Sequence, residues 1–234
     1  MEPPYPRHGA AGGFITIAEQ NGVIREIGDW TIREACMAAS RWPNELLVAV
    51  NLSAKHFEAS DIAAVVRDAL AQSGLSPSRL ELEITESLLI ECPDEVLAKL
   101  TDLKTLGVTV AMDDFGTGYS SLSYLLKFPF DKIKIDKSFV AALTEDAMAR
   151  DILRSIASLG KTLRMHITAE GVETQTQAEF LHKIACTQLQ GYYFAKPLSK
   201  LDLANYLLTH FTKTVSFAGG RGRRLTKPVS KRAG

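Results

Sequence analysis

Segments of strand character alternate with helical segments along most of the chain, and this alternation restricts the possible folds more than any other feature. The pattern predicts six strands, at Leu46–Leu52, Leu80–Thr85, Val108–Asp113, Lys132–Ile135, Arg164–Thr168 and Thr187–Phe194. Amphipathic helices are predicted between them, such as Ile62–Ser73, which Ser60 or Asp61 would cap and Gly74 would end. Strands separated by long helices form parallel sheets, which are either doubly wound or closed into a (β/α)₈ barrel.

Polar residues fall on one face of each predicted strand, and this favours the barrel. Successive side chains in a strand point to opposite faces of the sheet. Over Leu80–Thr85, leucine and isoleucine occupy one face, while Glu81 and Glu83 occupy the other. Over Lys132–Ile135, the lysines likewise lie opposite the isoleucines. A doubly wound sheet has helices on both faces and needs both to be apolar, so we predict an α/β fold of the TIM-type (β/α) barrel, with functional residues at the C-terminal strand ends.

Most side chains expected at those strand ends are oxygen donors. They are Asn51, Glu83, Asp113, Asp114, Glu170 and Glu173. Oxygen-only clusters suit Mg²⁺, Mn²⁺ or Ca²⁺, and the shortage of clustered histidine and cysteine argues against zinc. Adjacent Asp113 and Asp114 could bind two ions, as in enzymes that catalyse in-line displacement at phosphorus. The alternative is that they form an Asx turn that caps a helix. Lys134 could offset the negative charge and orient a water, or it could be a surface lysine on an edge strand.

Composition and charge narrow the range of partners and compartments. The 27 basic and 27 acidic residues balance, which argues against general binding to nucleic acid or to a membrane surface. No apolar run approaches the ~18 residues of a membrane span, and the N-terminus has no signal-peptide core. Cys36, Cys92 and Cys186 are far apart and are expected to be buried thiols in a reducing compartment, so we predict a cytoplasmic protein.

The ends of the chain differ from its centre. Residues 1–13 are rich in proline and glycine, which predicts a disordered N-terminal tail, and residues 211–234 predict a basic disordered C-terminal tail. The barrel domain is therefore expected over residues 14–210. Its first long helix is predicted at about Ile24–Trp42, with Ile27, Trp30, Ile32 and Met37 as core contacts.

The motifs at the predicted strand ends resemble those of the EAL family. They are N-L-S at Asn51, E-I-T-E at Glu83–Glu86, D-D-F-G-T-G-Y-S-S-L at Asp113–Leu122, K-I-K-I-D at Lys132–Asp136, A-E-G-V-E at Ala169–Glu173 and Q-G-Y-Y-F-A-K-P at Gln190–Pro197. Each motif alone is weak, but the whole set in this order at barrel spacing is specific. The resemblance covers about Phe14 to Leu208. It implies hydrolysis of the bacterial second messenger cyclic di-GMP to linear pGpG on a barrel fold, with Mg²⁺ or Mn²⁺.

The resemblance also implies roles for single residues. The metal ligands, for two ions, would be Asn51, Glu83, Asp113 and Asp114, with Glu170 completing the site. Lys134 would hold the attacking water, and Glu173 and Gln190 would support the metal–water network or the substrate. Glu86 would anchor the loop Phe115–Ser121, which in this family governs metal binding and dimer contacts, so a homodimer through this loop is implied; alternatively, Glu86 is a charge at a helix N-terminus. Pro197 would border the guanine pocket.

The sequence departs from the family pattern in its N-terminal part. In the family, an E-A-L or E-V-L motif on the second barrel strand supplies a metal-ligating glutamate and, nearby, an arginine for the substrate phosphate. Neither motif is expected in this sequence, and Phe14 already lies past that strand in the family's order, so the first two strands are expected to be missing. The remaining strands could not close, and Leu47–Asn51 and Thr187–Phe194 would be exposed edges. We expect reduced activity, and low solubility, oligomerisation or dependence on another polypeptide.

Two functions follow from this departure. The first is a phosphodiesterase whose recorded start is too late, so that the DNA upstream of Met1 encodes the missing motif. The second is a degenerate, non-catalytic EAL module that binds cyclic di-GMP or a protein partner. The intact motifs elsewhere favour the first. A different barrel acting on phosphodiesters would require the whole motif set to be a coincidence.

Overall fold

Six parallel strands form one sheet in which spatial order follows chain order. The computed structural model describes residues 10–43, 46–91, 93–117 and 122–211. The strands are β1 (Val48–Leu52), β2 (Leu80–Thr85), β3 (Thr109–Phe115), β4 (Lys132–Ile135), β5 (His166–Ala169) and β6 (Gln188–Leu189). A doubly wound sheet reverses its strand order at a switch point, whereas this sheet runs from β1 to β6 without reversal. The predicted barrel type is confirmed as a curled half-barrel.

Helices connect the strands throughout the described residues. Their bounds are α1 (Ala10–Gln20), α2 (Ile24–Ala39), α3 (Ala54–Ala59), α4 (Ile62–Ser73), α5 (Leu88–Glu91), α6 (Pro93–Thr105), α7 (Leu122–Lys127), α8 (Lys137–Ala142), α9 (Ala147–Leu163), α10 (Gln175–Lys183) and α11 (Lys200–Phe211). Helix α1 begins at Ala10, inside the segment for which a tail is predicted. The rest of that segment, and the predicted basic tail after Phe211, lie outside the described residues. No described helix is both long and apolar enough to cross a bilayer.

Local capping sets several of the helix boundaries. The Asp61 side chain accepts a hydrogen bond from the backbone N–H of Ala64 at 3.0 Å, so Asp61 is the cap of α4 that the sequence left open between two residues. Gly74 ends the same helix with a positive φ of 67°, a conformation that costs glycine least. Thr174 and Gln177 form a reciprocal capping box at the start of α10.

The two faces of the sheet differ as predicted. The face toward the helices carries apolar side chains, and Leu82, Val110 and Ile133 are completely buried there. Glu83 and Lys134 are buried as well, but on the concave side, where they line a cavity of about 150 Å³. Strands β1 and β6 each pair with a single neighbour among the described residues, so the predicted open edges are confirmed.

Two predictions, one about the buried side of α2 and one about the length of β6, were wrong in part. In α2, Ile32 and Cys36 are buried and Ile27 is half-buried, but Trp30 is 61% and Met37 38% exposed, because the stripe that packs on β1 and α4 lies on another side of the helix. Strand β6 ends at Leu189 and does not continue to Phe194.

The early end of β6 has a local cause. After Leu189 the chain turns around Val172, whose backbone N–H donates to Gln190 O and whose carbonyl accepts from Tyr193 N. A Cβ on Gly191 would lie only 2.2 Å from the oxygen of Val172, so the close approach of these two segments requires glycine.

Two of the cysteines agree with the sequence prediction. Cys36 and Cys186 are free and buried, and burial raises the pKa of each thiol from 9.0 to about 11. Cys92 lies outside the described residues.

Candidate metal centre

The end of β3 turns two neighbouring carboxylates toward the same site. In a regular strand, Asp113 and Asp114 would point to opposite faces. Here the register between β3 and β4 shifts between Met112 and Phe115, and Asp114 adopts a left-handed conformation with φ of 54°. The backbone N–H of Asp114 donates to Asp113 Oδ1 at 3.0 Å. Oxygens of both carboxylates and of Glu170 consequently lie within 4.8 Å of one another.

Lys134 links the carboxylates of three different strand ends. Its Nζ lies 2.7 Å from Glu83 Oε2, 2.9 Å from Asp113 Oδ1 and 2.6 Å from Glu170 Oε1. The residue is 3% exposed and lies on a central strand, so the alternative of a surface lysine on an edge strand is wrong. Because a buried lysine is stable only when its charge is compensated, Lys134 and the carboxylates depend on one another.

The pKa values of this cluster reflect crowded buried charge. Burial is the largest effect on Glu83 and Glu170, and it raises the pKa of both carboxyls even though Lys134 lowers it. Burial and then the charge of Asp113 raise the pKa of Asp114. For Lys134, burial opposes the charged form, but Glu83 and Glu170 outweigh it and raise the pKa above 10.5. One protonated lysine therefore faces more negative charge than it can balance.

This donor set fits a hard divalent cation. The ligand atoms of Asp113, Asp114 and Glu170 are all oxygens, which Mg²⁺ and Mn²⁺ prefer over nitrogen or sulfur. A bound cation would also compensate the negative charge that Lys134 alone does not balance. Asn51, at the end of β1, is exposed and in register with Glu83 of the neighbouring strand, so it lies beside the cluster.

Three further predicted site residues, Gln190, Glu173 and Pro197, show no side-chain bond to this cluster within the described part of the chain. Gln190 follows β6 and lines the same concave cavity as Glu83 and Lys134. Glu173 is exposed, and its backbone N–H donates to the Gln177 side chain at 2.8 Å. Pro197 is also exposed.

Glu86 is buried in the turn between β2 and α5. Residues 118–121 of the loop that it is predicted to anchor lie outside the described residues, so this role stays a prediction.

Contrary to the expectation that the sequence has neither E-A-L nor E-V-L, it does contain an E-V-L tripeptide. Glu95–Leu97 reads E-V-L, but it belongs to helix α6, and Glu95 is exposed there. A motif on an outer helix cannot take the place of a ligand on a barrel strand.

Strand alternation predicts Glu81 and Lys132 on the concave face, but the motifs assign neither these residues nor Gln188 to the site. All three line the cavity together with Glu83 and Lys134. The signal for Glu81 and Lys132 is the spacing in E-L-E and K-I-K, since residues two apart in a strand share a face.

The described chain is similar to EAL domains in sequence and in structure. The EAL domain model matches residues 5–197. MucR of Pseudomonas aeruginosa, a bifunctional diguanylate cyclase/cyclic di-GMP phosphodiesterase, is 42% identical over 200 residues, which are 83% of this chain and 29% of MucR. The first curated relatives are all much longer, and this chain spans about a quarter of their length.

Solved protein structures are also similar to this chain. A complex of the PaMucR phosphodiesterase with c-di-GMP is 41% identical and has a TM-score of 0.80 over 85% of this chain and 83% of that one. A manganese/cy-diGMP complex of Klebsiella pneumoniae BlrP1 is 30% identical, with a TM-score of 0.70 over 75% of this chain and 45% of that one.

Proposed function

Because the chain belongs to the EAL domain family, we propose that it hydrolyses cyclic di-GMP to pGpG by attack of a metal-activated water on a phosphodiester. The observation that carries this proposal is the contact of Lys134 with Glu83, Asp113 and Glu170 beside the paired aspartates. A buried lysine within an all-oxygen cluster supplies both a cation site and a fixed positive charge, which phosphoryl transfer requires.

The cation site would be formed by the strand-end donors. We assign Asp113, Asp114 and Glu170 as ligands from their mutual proximity, and Asn51 and Glu83 from their place at the neighbouring strand ends. Adjacent Asp113 and Asp114 support two ions, and the oxygen-only donor set supports Mg²⁺ or Mn²⁺. When bound, the ions lower the pKa of a water and polarise the phosphoryl oxygens.

Side chains of the protein would orient the attacking water and accept its proton. Lys134 Nζ is protonated and held by three carboxylates, so its position is fixed before substrate arrives. From there it can hold the attacking water or stabilise charge on a phosphoryl oxygen. Burial raises the pKa of Glu170, which brings this carboxylate closer to the proton affinity that a general base needs near neutral pH.

The outer residues complete the proposed substrate site. Gln190 and Glu173 would support the water network or the substrate, and Pro197 would border guanine. Glu86 would act indirectly through the loop Phe115–Ser121.

A homodimer through the same loop region is part of the proposal. Leu122 and Leu126 in α7, directly after the loop, are 56% and 73% exposed, and such apolar side chains are suited to an interface.

A cytoplasmic location is supported by the two free, buried thiols among the described cysteines.

Turnover of cyclic di-GMP tests the proposal directly. The protein is incubated with Mn²⁺ or Mg²⁺, pGpG is resolved by ion-exchange chromatography, and Asp113→Asn serves as the matched variant. We expect metal-dependent product that falls by more than about 10-fold in the variant, since it loses a ligand charge. Product formation that is unchanged in the variant would refute the assignment of the site.

The second candidate is a catalytically impaired EAL module that acts as a receptor for cyclic di-GMP or as a protein-interaction domain. It is supported by the place of the E-V-L tripeptide Glu95–Leu97, which lies on helix α6 with Glu95 exposed and not on a strand of the site. Binding of cyclic di-GMP in calorimetry without formation of pGpG would support this candidate over the phosphodiesterase.

A further inference from the structure

A second pair of buried charges lies directly below the proposed centre. Strand β2 carries Glu81 two residues before Glu83, and β4 carries Lys132 two residues before Lys134. All four are at most 5% exposed and line one cavity on the concave face. We call Glu83 and Lys134 with their bonded carboxylates the upper level, and Glu81, Lys132 and Gln188 the lower level.

Lys132 organises the lower level across three strands. Its Nζ donates to Glu81 Oε2 of β2 and, at 2.6 Å, to Gln188 Oε1 of β6. Thr168 Oγ1 of β5 donates to the same Gln188 oxygen at 3.2 Å. Ala111 of β3 pairs with both Glu83 and Lys132 in the sheet register, and its small side chain leaves room for Lys132 to reach β2. The lower level thus has one cation, one anion and one amide.

The two levels are close enough to exchange partners. Residues two apart in a strand are separated by about 6.6 Å, and the flexible four-carbon stem of a lysine covers a similar distance. Lys134 could therefore reach Glu81 if that carboxylate had no other cation. In the structure Glu81 does have another cation, because Lys132 bonds to it.

We propose that Lys132 and Glu81 form a positioning pair that keeps Lys134 directed at the upper carboxylates. The pair touches neither substrate nor cation; it acts by compensating Glu81, so that Lys134 remains with Asp113 and Glu170. As a role in catalysis, this rests on the proposed phosphodiesterase function, whereas the effect on the position of Lys134 does not.

The pair predicts opposite outcomes for single and double substitution. In Lys132→Met, Glu81 is a buried carboxylate whose charge nothing compensates, so we expect Lys134 to move toward it. The double variant Glu81→Gln/Lys132→Met removes both charges of the lower level. No carboxylate then attracts Lys134 away from the upper level. A purely structural pair would have no such effect on Lys134.

Crystal structures and kinetics of these variants test the pair. In Lys132→Met we expect Lys134 Nζ to bond to Glu81 and to lose its contact with Asp113, while the double variant keeps the original contacts. We expect kcat to fall by roughly 10–100-fold in Lys132→Met with KM little changed, and to recover in the double variant.

Lys104→Met is the matched control. Lys104 forms an ion pair with Asp131 at 2.6 Å, outside the cavity, so its loss should leave kcat unchanged. The proposal is overturned if Lys134 keeps its three upper contacts in Lys132→Met, or if kcat falls equally in the single and double variants. An unsubstituted protein without turnover would refute the proposed function alone, because the crystal structures still decide where Lys134 bonds.

Discussion

Replacement of Lys134 by methionine is the most informative single perturbation of the proposed centre. Methionine has a similar length and no charge, so the variant removes the ammonium group that contacts Glu83, Asp113 and Glu170 at 2.7, 2.9 and 2.6 Å. The carboxylates remain buried and lose their shared partner. We expect both the free energy of unfolding and the turnover to fall.

The size of the effect follows from the burial of Lys134. Its side chain is 4% exposed, so solvent screens the contacts little. Removing one partner of such a buried charge cluster costs about 3–5 kcal/mol. For a chain of this size, 1 kcal/mol corresponds to roughly 2–4 °C in Tm, which gives a decrease of about 6–20 °C. Turnover should fall by about 10²–10⁴-fold, the usual contribution of a group that positions or transfers the reacting proton.

Thermal unfolding with and without Mn²⁺ separates the electrostatic effect from a general loss of packing. Because a bound cation would compensate the carboxylates that Lys134 leaves behind, the Tm difference between the variant and the parent should shrink when Mn²⁺ is added. Lys99→Met is a matched control, since Lys99 Nζ also has three acceptors, the carbonyl oxygens of Phe57, Glu58 and Ser60, but they are neutral.

The control variant should lose stability to the same extent with and without Mn²⁺. If Lys134→Met melts within about 2 °C of the parent protein without metal, or keeps its turnover, then Lys134 does not hold the cluster together and the proposed mechanism is wrong.

Two further predictions concern pH and assembly. Burial raises the pKa of the Cys36 and Cys186 thiols to about 11, so their contribution to stability is complete below the unfolded-state pKa and is lost as the pH rises toward 11. Urea unfolding should show a loss of about 2 kcal/mol per thiol between about pH 8 and pH 10.5, and a double alanine variant with the same steep loss would contradict this. Leu126→Arg should convert a dimer to monomers in analytical ultracentrifugation, because Leu126 is 73% exposed beside the proposed interface; an unchanged dimer would exclude this surface.

Local patterns were enough to predict much of the fold. The bounds of β2, β4 and α4 agree with the sequence prediction, because strand alternation, an Asp N-cap and a C-terminal glycine act within a few residues. The concave, polar face was predictable for the same reason. The oxygen donors could also be located from the sequence, because they lie near the C-terminal ends of apolar strands or, like Glu170, directly after one.

Long-range contacts account for the errors. The side of α2 that is buried depends on where β1 and α4 lie, and periodicity alone placed Trp30 and Met37 in the core, although both are exposed. The length of β6 depends on the turn around Val172, a contact with another loop, and the one local sign of it in the Thr187–Phe194 segment is Gly191.

The sequence by itself determined which residues share the concave face and which chemistry they can support, because side-chain direction in a strand follows from position. Only the tertiary structure decided which partners they bond. Asp113 and Asp114 reach one site because the β3–β4 register shifts and Asp114 turns left-handed. Lys134 bonds to the upper carboxylates while Lys132 bonds to Glu81, although the two levels are only about 6.6 Å apart along the strands. That choice depends on strand register and on competition among buried charges, which are properties of the assembled sheet.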